Sequence, residues 1–206
     1  MANIDIIENA RDETIATFIE GILRSKLTES DGPLAISVPG GSTPFPIMNR
    51  LVQADIEWNR VTVWPGDDRI VPEDHEASNT GRIRAVFEPV GAHVAALTVM
   101  EQVPHFALVW LGMGEDGHVA SLFPNTDPRL DEAAPIRRLT PDPLPPEAPF
   151  DRVTLTMPSL LDSDALMFVI RGEAKRAVFE AAAKGESDLP VARLLGAARQ
   201  QVTCFA

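Results

Sequence analysis

The chain has 206 residues, of which 45% are hydrophobic, with a net charge of −12 and a pI near 4.7. That length suffices for one well-buried domain and does not demand two, so a single domain over residues 1–206 is expected. The acidic balance excludes the clustered Lys/Arg face that nucleic acid requires, though local cations and backbone N–H groups can still hold a small anion. The lone cysteine, Cys204, rules out an intrachain disulfide and a cysteine-based zinc site. The start MANIDIIENARDE lacks the basic stretch and apolar core of a signal peptide, and no apolar run approaches the ~20 residues that cross a bilayer. A cytoplasmic chain without membrane contact is expected.

Residues 10–28 carry Ile15, Phe18, Ile19, Ile22 and Leu23 at helical spacing, with Asn9 placed to cap them. A turn at 31–33 leads into a short buried strand, 34–38, and then Pro39-Gly40-Gly41-Ser42-Thr43-Pro44. Two glycines let the backbone approach a ligand, Ser42 or Thr43 can cap the next helix, and Pro44 suits its first turn. That helix shows Ile47, Met48, Leu51 and Val52 on one side. A strand, a glycine-rich turn and a helix N-terminus together make an anion site from unpaired N–H groups. The alternative is a tight strand-to-helix connection that binds nothing.

A second strand, 58–64, ends in Pro65-Gly66-Asp67-Asp68-Arg69. Paired carboxylates beside an arginine at a strand's end can serve acid–base work or orient a substrate. They are equally compatible with a solvated turn and a weak surface ion pair. Ser78 or Asn79 can cap a helix carrying Ile83, Val86 and Phe87. His75, flanked by acids, reads as a solvated loop residue. His93 and His105 have no polar partners nearby in sequence and read as structural.

The densest chemistry lies at 106–124. Residues 106–111 are an apolar run of the length of a buried strand, breaking into Gly112, Gly114 and Gly117 with Glu115 and Asp116 between them. His118 follows, then an apolar-and-small segment that Pro124 closes. Open α/β sheets put their chemistry at the carboxyl ends of strands, which makes His118 the centre of a candidate active site. The three glycines also satisfy G-x-G-x-x-G, but two carboxylates would face a pyrophosphate there. The acid expected about 20 residues on, at the end of a second strand, is missing, so the segment argues against a dinucleotide.

Residues 125–150 contain six prolines from Pro135 onward and should form an extended surface excursion. Strands are expected at 152–156, 166–170 and 201–205, with a helix from 172 to about 184 and a short one at 191–195. Lys175 falls in the first turn of its helix, where the dipole disfavours a cation. It either reaches toward an anion or is a plain surface lysine. Strands alternating with helices imply an α/β fold: an open, mostly parallel, Rossmann-like sheet with helices on both faces.

Taken together, the motifs resemble the 6-phosphogluconolactonases, within the wider group that includes glucosamine-6-phosphate deaminases and ribose-5-phosphate isomerases. The matching stretches are VPGGSTP at 38–44, W-x-x-V at 58–61 and GDDR-x-VP-x-DH-x-x-SN at 66–79. GMGEDGHVASLFP at 112–124, RVTLT at 152–156 and G-x-x-K at 172–175 complete the set. Two departures stand out: Asp68 takes the place of the usual glutamate, and the tail after Lys175 is short.

The resemblance implies a sugar-phosphate-isomerase-like fold and hydrolysis of 6-phospho-D-glucono-1,5-lactone to 6-phosphogluconate, in the oxidative pentose phosphate pathway, without metal or cofactor. By position, His118 matches the family's base and Asp116 orients it. Asp67 matches the proton-abstracting position of the related deaminases. Oxyanion donors are the turn N–H groups of Gly112 to Gly114, or Arg69. The 6-phosphate falls to Gly40, Gly41, Ser42 and Thr43, with charge from Lys175 and Arg152. The expected partner is this small sugar-phosphate lactone, bound by a monomer or weak homo-oligomer. A deaminase-isomerase is the nearest rival, but the run after His118, VASLFP, lacks the acid that the deaminases place there. A sugar-phosphate-sensing module is the rival of another class, and it has no need of Asp67, Asp116 and His118 together.

Overall fold

In the computed structural model, which describes residues 3–144 and 148–206, strands and helices alternate along most of the chain. They run β1 (Ile4–Ile7), α1 (Asp12–Glu29), β2 (Leu34–Val38), α2 (Pro44–Leu51), β3 (Val61–Pro65), β4 (Asp67–Arg69), α3 (Asn79–Phe87) and β5 (His93–Val94). There follow β6 (Leu108–Leu111), β7 (Ile136–Leu139), β8 (Arg152–Leu155), α4 (Met157–Leu161), β9 (Ala165–Val169), α5 (Glu173–Ala183), α6 (Pro190–Ala197) and β10 (Gln201–Phe205). Seven strands form one parallel sheet in the order β1-β10-β9-β6-β2-β3-β5, and β4-β8-β7 form a separate antiparallel sheet.

The central strands are apolar without alternation because both faces of the parallel sheet are covered. Ile36 and Val38 of β2, Leu108 and Trp110 of β6, and Met167 and Val169 of β9 pack with Ile19 of α1, Met48 of α2 and Phe87 of α3. The intervening residues, Val109, Leu111, Leu166 and Phe168, pack with Leu160 of α4, Phe179 of α5, Leu194 of α6 and Leu155 of β8. Each fully buried side chain of this size contributes about 1.5–3 kcal/mol, which outweighs the weak propensities of strands only four or five residues long.

The strand order also fixes where a ligand can enter. From β2 the chain steps outward to β3 and β5, then returns to lay β6 on the other side of β2 and continues to β9 and β10. The order reverses between β2 and β6, so the loops leaving their carboxyl ends diverge and open a crevice.

Several elements differ from the sequence-based expectation, each for a local reason. Asn9 does not cap α1. It takes a left-handed φ of 55° to turn the chain out of β1, its N–H donates to Ala206 O at 2.7 Å, and Arg11 stands at the N-cap. β1 itself escapes the pattern because it is an edge strand with Ile6 and Ile7 exposed. The expected strand at 58–64 begins with a 3-10 turn, Trp58–Arg60, and β3 starts only at Val61. Residues 67–69 are a strand, not a solvated turn, because β8 pairs with them. The proline-rich stretch is not wholly a surface excursion: Ile136–Leu139 pairs with β8 and buries Ile136. Pro145 and Pro146 lie outside the described residues.

Candidate active site

A cavity of about 320 Å³ opens at the carboxyl ends of β2, β3, β6 and β9, at the reversal in strand order. The loop after β2 supplies Gly40, Gly41, Ser42 and Thr43 to its wall, β4 supplies Asp67 and Arg69, and the loop after β6 supplies Gly112, Gly114 and His118. Lys175, in the first turn of α5, completes the set brought together from the sequence-based candidates.

The first wall is built for an anion. Gly41 adopts φ +90°, a conformation open to glycine, and the chain then enters α2 at Pro44. Thr43 occupies the N-cap in helical conformation, and its side chain makes no capping bond, nor does Ser42 take that role. Among the described residues, the N–H groups of Gly40, Gly41, Ser42 and Thr43 donate to no protein acceptor. Lys175 forms no ion pair among those residues. Arg171, directly after the buried run of β9, also lines this wall, with Nη2 donating to Ala10 O at 3.1 Å and lying 3.4 Å from Asp12 Oδ1.

The opposite wall carries acid–base groups. His118 Nδ1 and Asp116 Oδ1 are 2.6 Å apart, and the same oxygen accepts the His118 backbone N–H at 3.2 Å. The hydrogen bond from His118 holds the Asp116 carboxyl below its ordinary range, so the pair is a carboxylate accepting from Nδ1–H. That tautomer leaves Nε2 as the basic nitrogen. The imidazole lies 4.6 Å from the Phe123 ring and directly over Gly114, where a Cβ would sit 2.3 Å from the ring. Gly114 N–H donates to His118 O at 3.0 Å, so the turn fixes the histidine and that N–H is not a free oxyanion donor. Gly112 N–H makes no hydrogen bond to another described residue.

Because residues 67–69 are a strand, their side chains alternate. Asp67 and Arg69 face the cavity, whereas Asp68 turns away and binds the start of α3, accepting from Asn79 N at 2.6 Å and Thr80 N at 2.9 Å. Asp67 keeps part of its surface open to the cavity, but protein packs round its carboxyl, and this desolvation raises its pKa despite a hydrogen bond from Ser121 Oγ and the proximity of Arg69. Asn79 Nδ2 donates to Asp67 O at 2.9 Å, and Arg69 Nη1 donates to Ala77 O at 2.9 Å.

Two sequence-based candidates do not line the cavity: Asp116, which reaches it only through its bond to His118, and Arg152. Arg152 is buried on β8 opposite Arg69, and its guanidinium donates to Phe150 O and Ala148 O, both at 2.7 Å. Burial, and then Arg69, lower its pKa, and both effects oppose gathering a further cation there. Arg171 stands in the cavity in its place. Its position directly after an apolar run was the available signal. Asn79 and Ser121 carried none, since only the fold brings them to Asp67.

The family described as glucosamine-6-phosphate isomerases/6-phosphogluconolactonase matches residues 8–96 and 86–204. A 6-phosphogluconolactonase of Neisseria meningitidis serogroup A is 32% identical over 96% of this chain and 94% of that relative. One from Pseudomonas aeruginosa is 32% identical, covering 89% and 86%. The crystal structure of a 6-phosphogluconolactonase from Shewanella baltica superposes with a TM-score of 0.84 at 25% identity, covering 100% of this chain and 97% of that one. The Thermotoga maritima 6-phosphogluconolactonase, at 24% identity, shares the fold with a TM-score of 0.83 and coverage of 100% and 99%. With matches running from residue 8 to residue 204, the chain belongs to the glucosamine-6-phosphate isomerase/6-phosphogluconolactonase family.

Proposed function

We propose that the chain hydrolyses 6-phospho-D-glucono-1,5-lactone to 6-phosphogluconate, the lactone-opening step of the oxidative pentose phosphate pathway. The observation that carries this reading is a cavity with an oriented histidine on one wall and unpaired N–H groups with two cations on the other. Relatives that match nearly end to end and bear the lactonase name support it.

In this reading the 6-phosphate occupies the N–H groups of Gly40 to Thr43, with Lys175 and Arg171 supplying charge. That anchor turns the lactone carbonyl toward the second wall. His118 Nε2 takes a proton from water as the water oxygen bonds to C1, and the Asp116 carboxylate stabilises the imidazolium that results. The oxyanion then needs fixed donors, and Arg69 and Gly112 N–H, both on the cavity wall, are the groups assigned to it in this reading. Every group named here comes from one chain, which supports action as a monomer. A phosphorylated substrate and an acidic chain favour a cytoplasmic setting.

The test generates the lactone in place with glucose-6-phosphate dehydrogenase and follows 6-phosphogluconate formation with and without EDTA. Acceleration over spontaneous hydrolysis that survives EDTA supports metal-independent lactonase action. Saturable binding of 6-phosphogluconate without acceleration would point to a sensing module instead.

A further inference from the structure

Resting on the lactonase reading, we propose that Asp67 is the proton donor to the ring oxygen as the lactone opens, held for that task by Ser121 and Asn79. Base-assisted attack of water solves half of the reaction. Collapse of the tetrahedral intermediate breaks the bond between C1 and the ring oxygen, and an unprotonated alkoxide is a poor leaving group near neutral pH. Asp67 gives its proton to that oxygen, which becomes the 5-hydroxyl, while C1 becomes the carboxyl. The proton taken from water by His118 then passes through solvent to reset Asp67, so the net change is addition of one water.

Two carboxyls, Asp67 on the cavity wall and Asp116 bonded to the lining His118, sit in opposite environments, the pattern that separates acid from base in one site. Asp116 is accessible, and its negative charge is stabilised by His118. Asp67 is open only toward the cavity, and burial of its carboxyl by the surrounding protein pushes its pKa up. The charged groups about it are Arg69 and Asp68 on its own strand, Arg152 from β8 and His118 from the loop after β6. Among the described residues none of the cations forms an ion pair with it; Arg69 directs Nη1 at Ala77 O instead. Oδ2 is engaged by the Ser121 hydroxyl, whereas the nearest donor to Oδ1, Asn79 Nδ2, lies 3.5 Å away. Oδ1 is thus the oxygen left to carry a proton.

An independent feature points to the same residue. Ala120, which lines the cavity, holds φ at 49°, a left-handed conformation that an alanine adopts only under constraint. That turn carries Ser121 inward, where its Oγ meets Asp67. The backbone is strained at the position that delivers the hydroxyl to Asp67.

The test measures kcat and KM across pH for Asp67→Asn and Ser121→Ala, with spontaneous hydrolysis subtracted and 6-phosphogluconate binding as the check on folding. Asp67→Asn keeps the shape of the side chain. It should bind 6-phosphogluconate as the wild type does, lose about 10²–10⁴-fold in kcat and lose the descending alkaline limb of the kcat profile. Ser121→Ala removes a donor that stabilises the carboxylate, so its alkaline limb should move to higher pH, a shift that a packing role would not produce. Wild-type kcat with a raised KM in Asp67→Asn would overturn the proposal and make Asp67 a holder of sugar hydroxyls. An alkaline limb unmoved in both variants would overturn it too. No acceleration by the wild-type chain would sink the lactonase reading itself, a distinct outcome.

Discussion

Asn79 packs its amide against Gly40 so closely that a Cβ at position 40 would lie 2.0 Å from Asn79 Oδ1. The contact joins the two walls of the cavity, since the same amide donates to Asp67 O. Gly40 is therefore required for Asn79, in addition to whatever it offers a phosphate. Gly40→Ala should cost about 1–3 kcal/mol as an overpacked contact and displace Asn79 from Asp67. Lower kcat and higher KM together, with a lowered Tm, are the expected result of steady-state kinetics and thermal unfolding.

Asp68 is a structural carboxylate. It accepts from Arg69 N, Ser78 Oγ, Asn79 N, Thr80 N and Thr80 Oγ1, tying β4 to the first turn of α3. Ser78 adds an N-cap bond from Gly81 N. Asp68→Ala leaves several buried donors without partners, each costing about 1–3 kcal/mol. We expect a loss of stability severe enough to be seen in denaturant midpoints, whereas a cavity-facing role would lower kcat with stability unchanged.

Lys175 has no ion-pair partner among the described residues and lines the wall that carries the free N–H groups. A hydrogen bond to a charged group contributes about 1.5–3 kcal/mol, so Lys175→Ala should raise KM about 10- to 100-fold with kcat nearly kept. Inorganic phosphate should inhibit the wild type and inhibit this variant more weakly.

His105 lies at the far end of the sheet from the cavity, before β6, with Asp162 2.6 Å from Nδ1 and Asp164 3.0 Å from Nε2. Its hydrogen bond to Asp162, then that to Asp164, raises its pKa. A raised histidine stabilises the fold fully below its unfolded value of about 6.5, and the contribution fades as pH rises through the folded value. The Tm deficit of His105→Gln should therefore be largest in mild acid and shrink toward alkaline pH, with kcat unaffected throughout.

The stretches read most securely from sequence were those whose signal is local. The apolar runs of β2, β6 and β9 reflect burial on both faces, and Gly40–Pro44 and Gly112–His118 mark the turns leaving two of those strands. The small antiparallel sheet was not legible. β4 is three polar residues and β7 a stretch of basic and apolar ones, and both are strands only because β8 pairs with them. The same limit applied to the site. Asp116 and His118 are two residues apart and could be paired on the page, but Asp67 meets Ser121 across 54 positions and Asn79 across 12. Arg152 was misplaced for that reason: strand pairing sets it behind Arg69, where its guanidinium turns to the 148–150 backbone.

The most direct test of the account is kcat for His118→Ala in the coupled lactone assay, with 6-phosphogluconate affinity measured on the same protein. Loss of a general base should lower kcat about 10²–10⁴-fold while affinity for the product stays at the wild-type value. A near-wild-type kcat would contradict the assignment of His118 as the base and with it the mechanism drawn from this cavity.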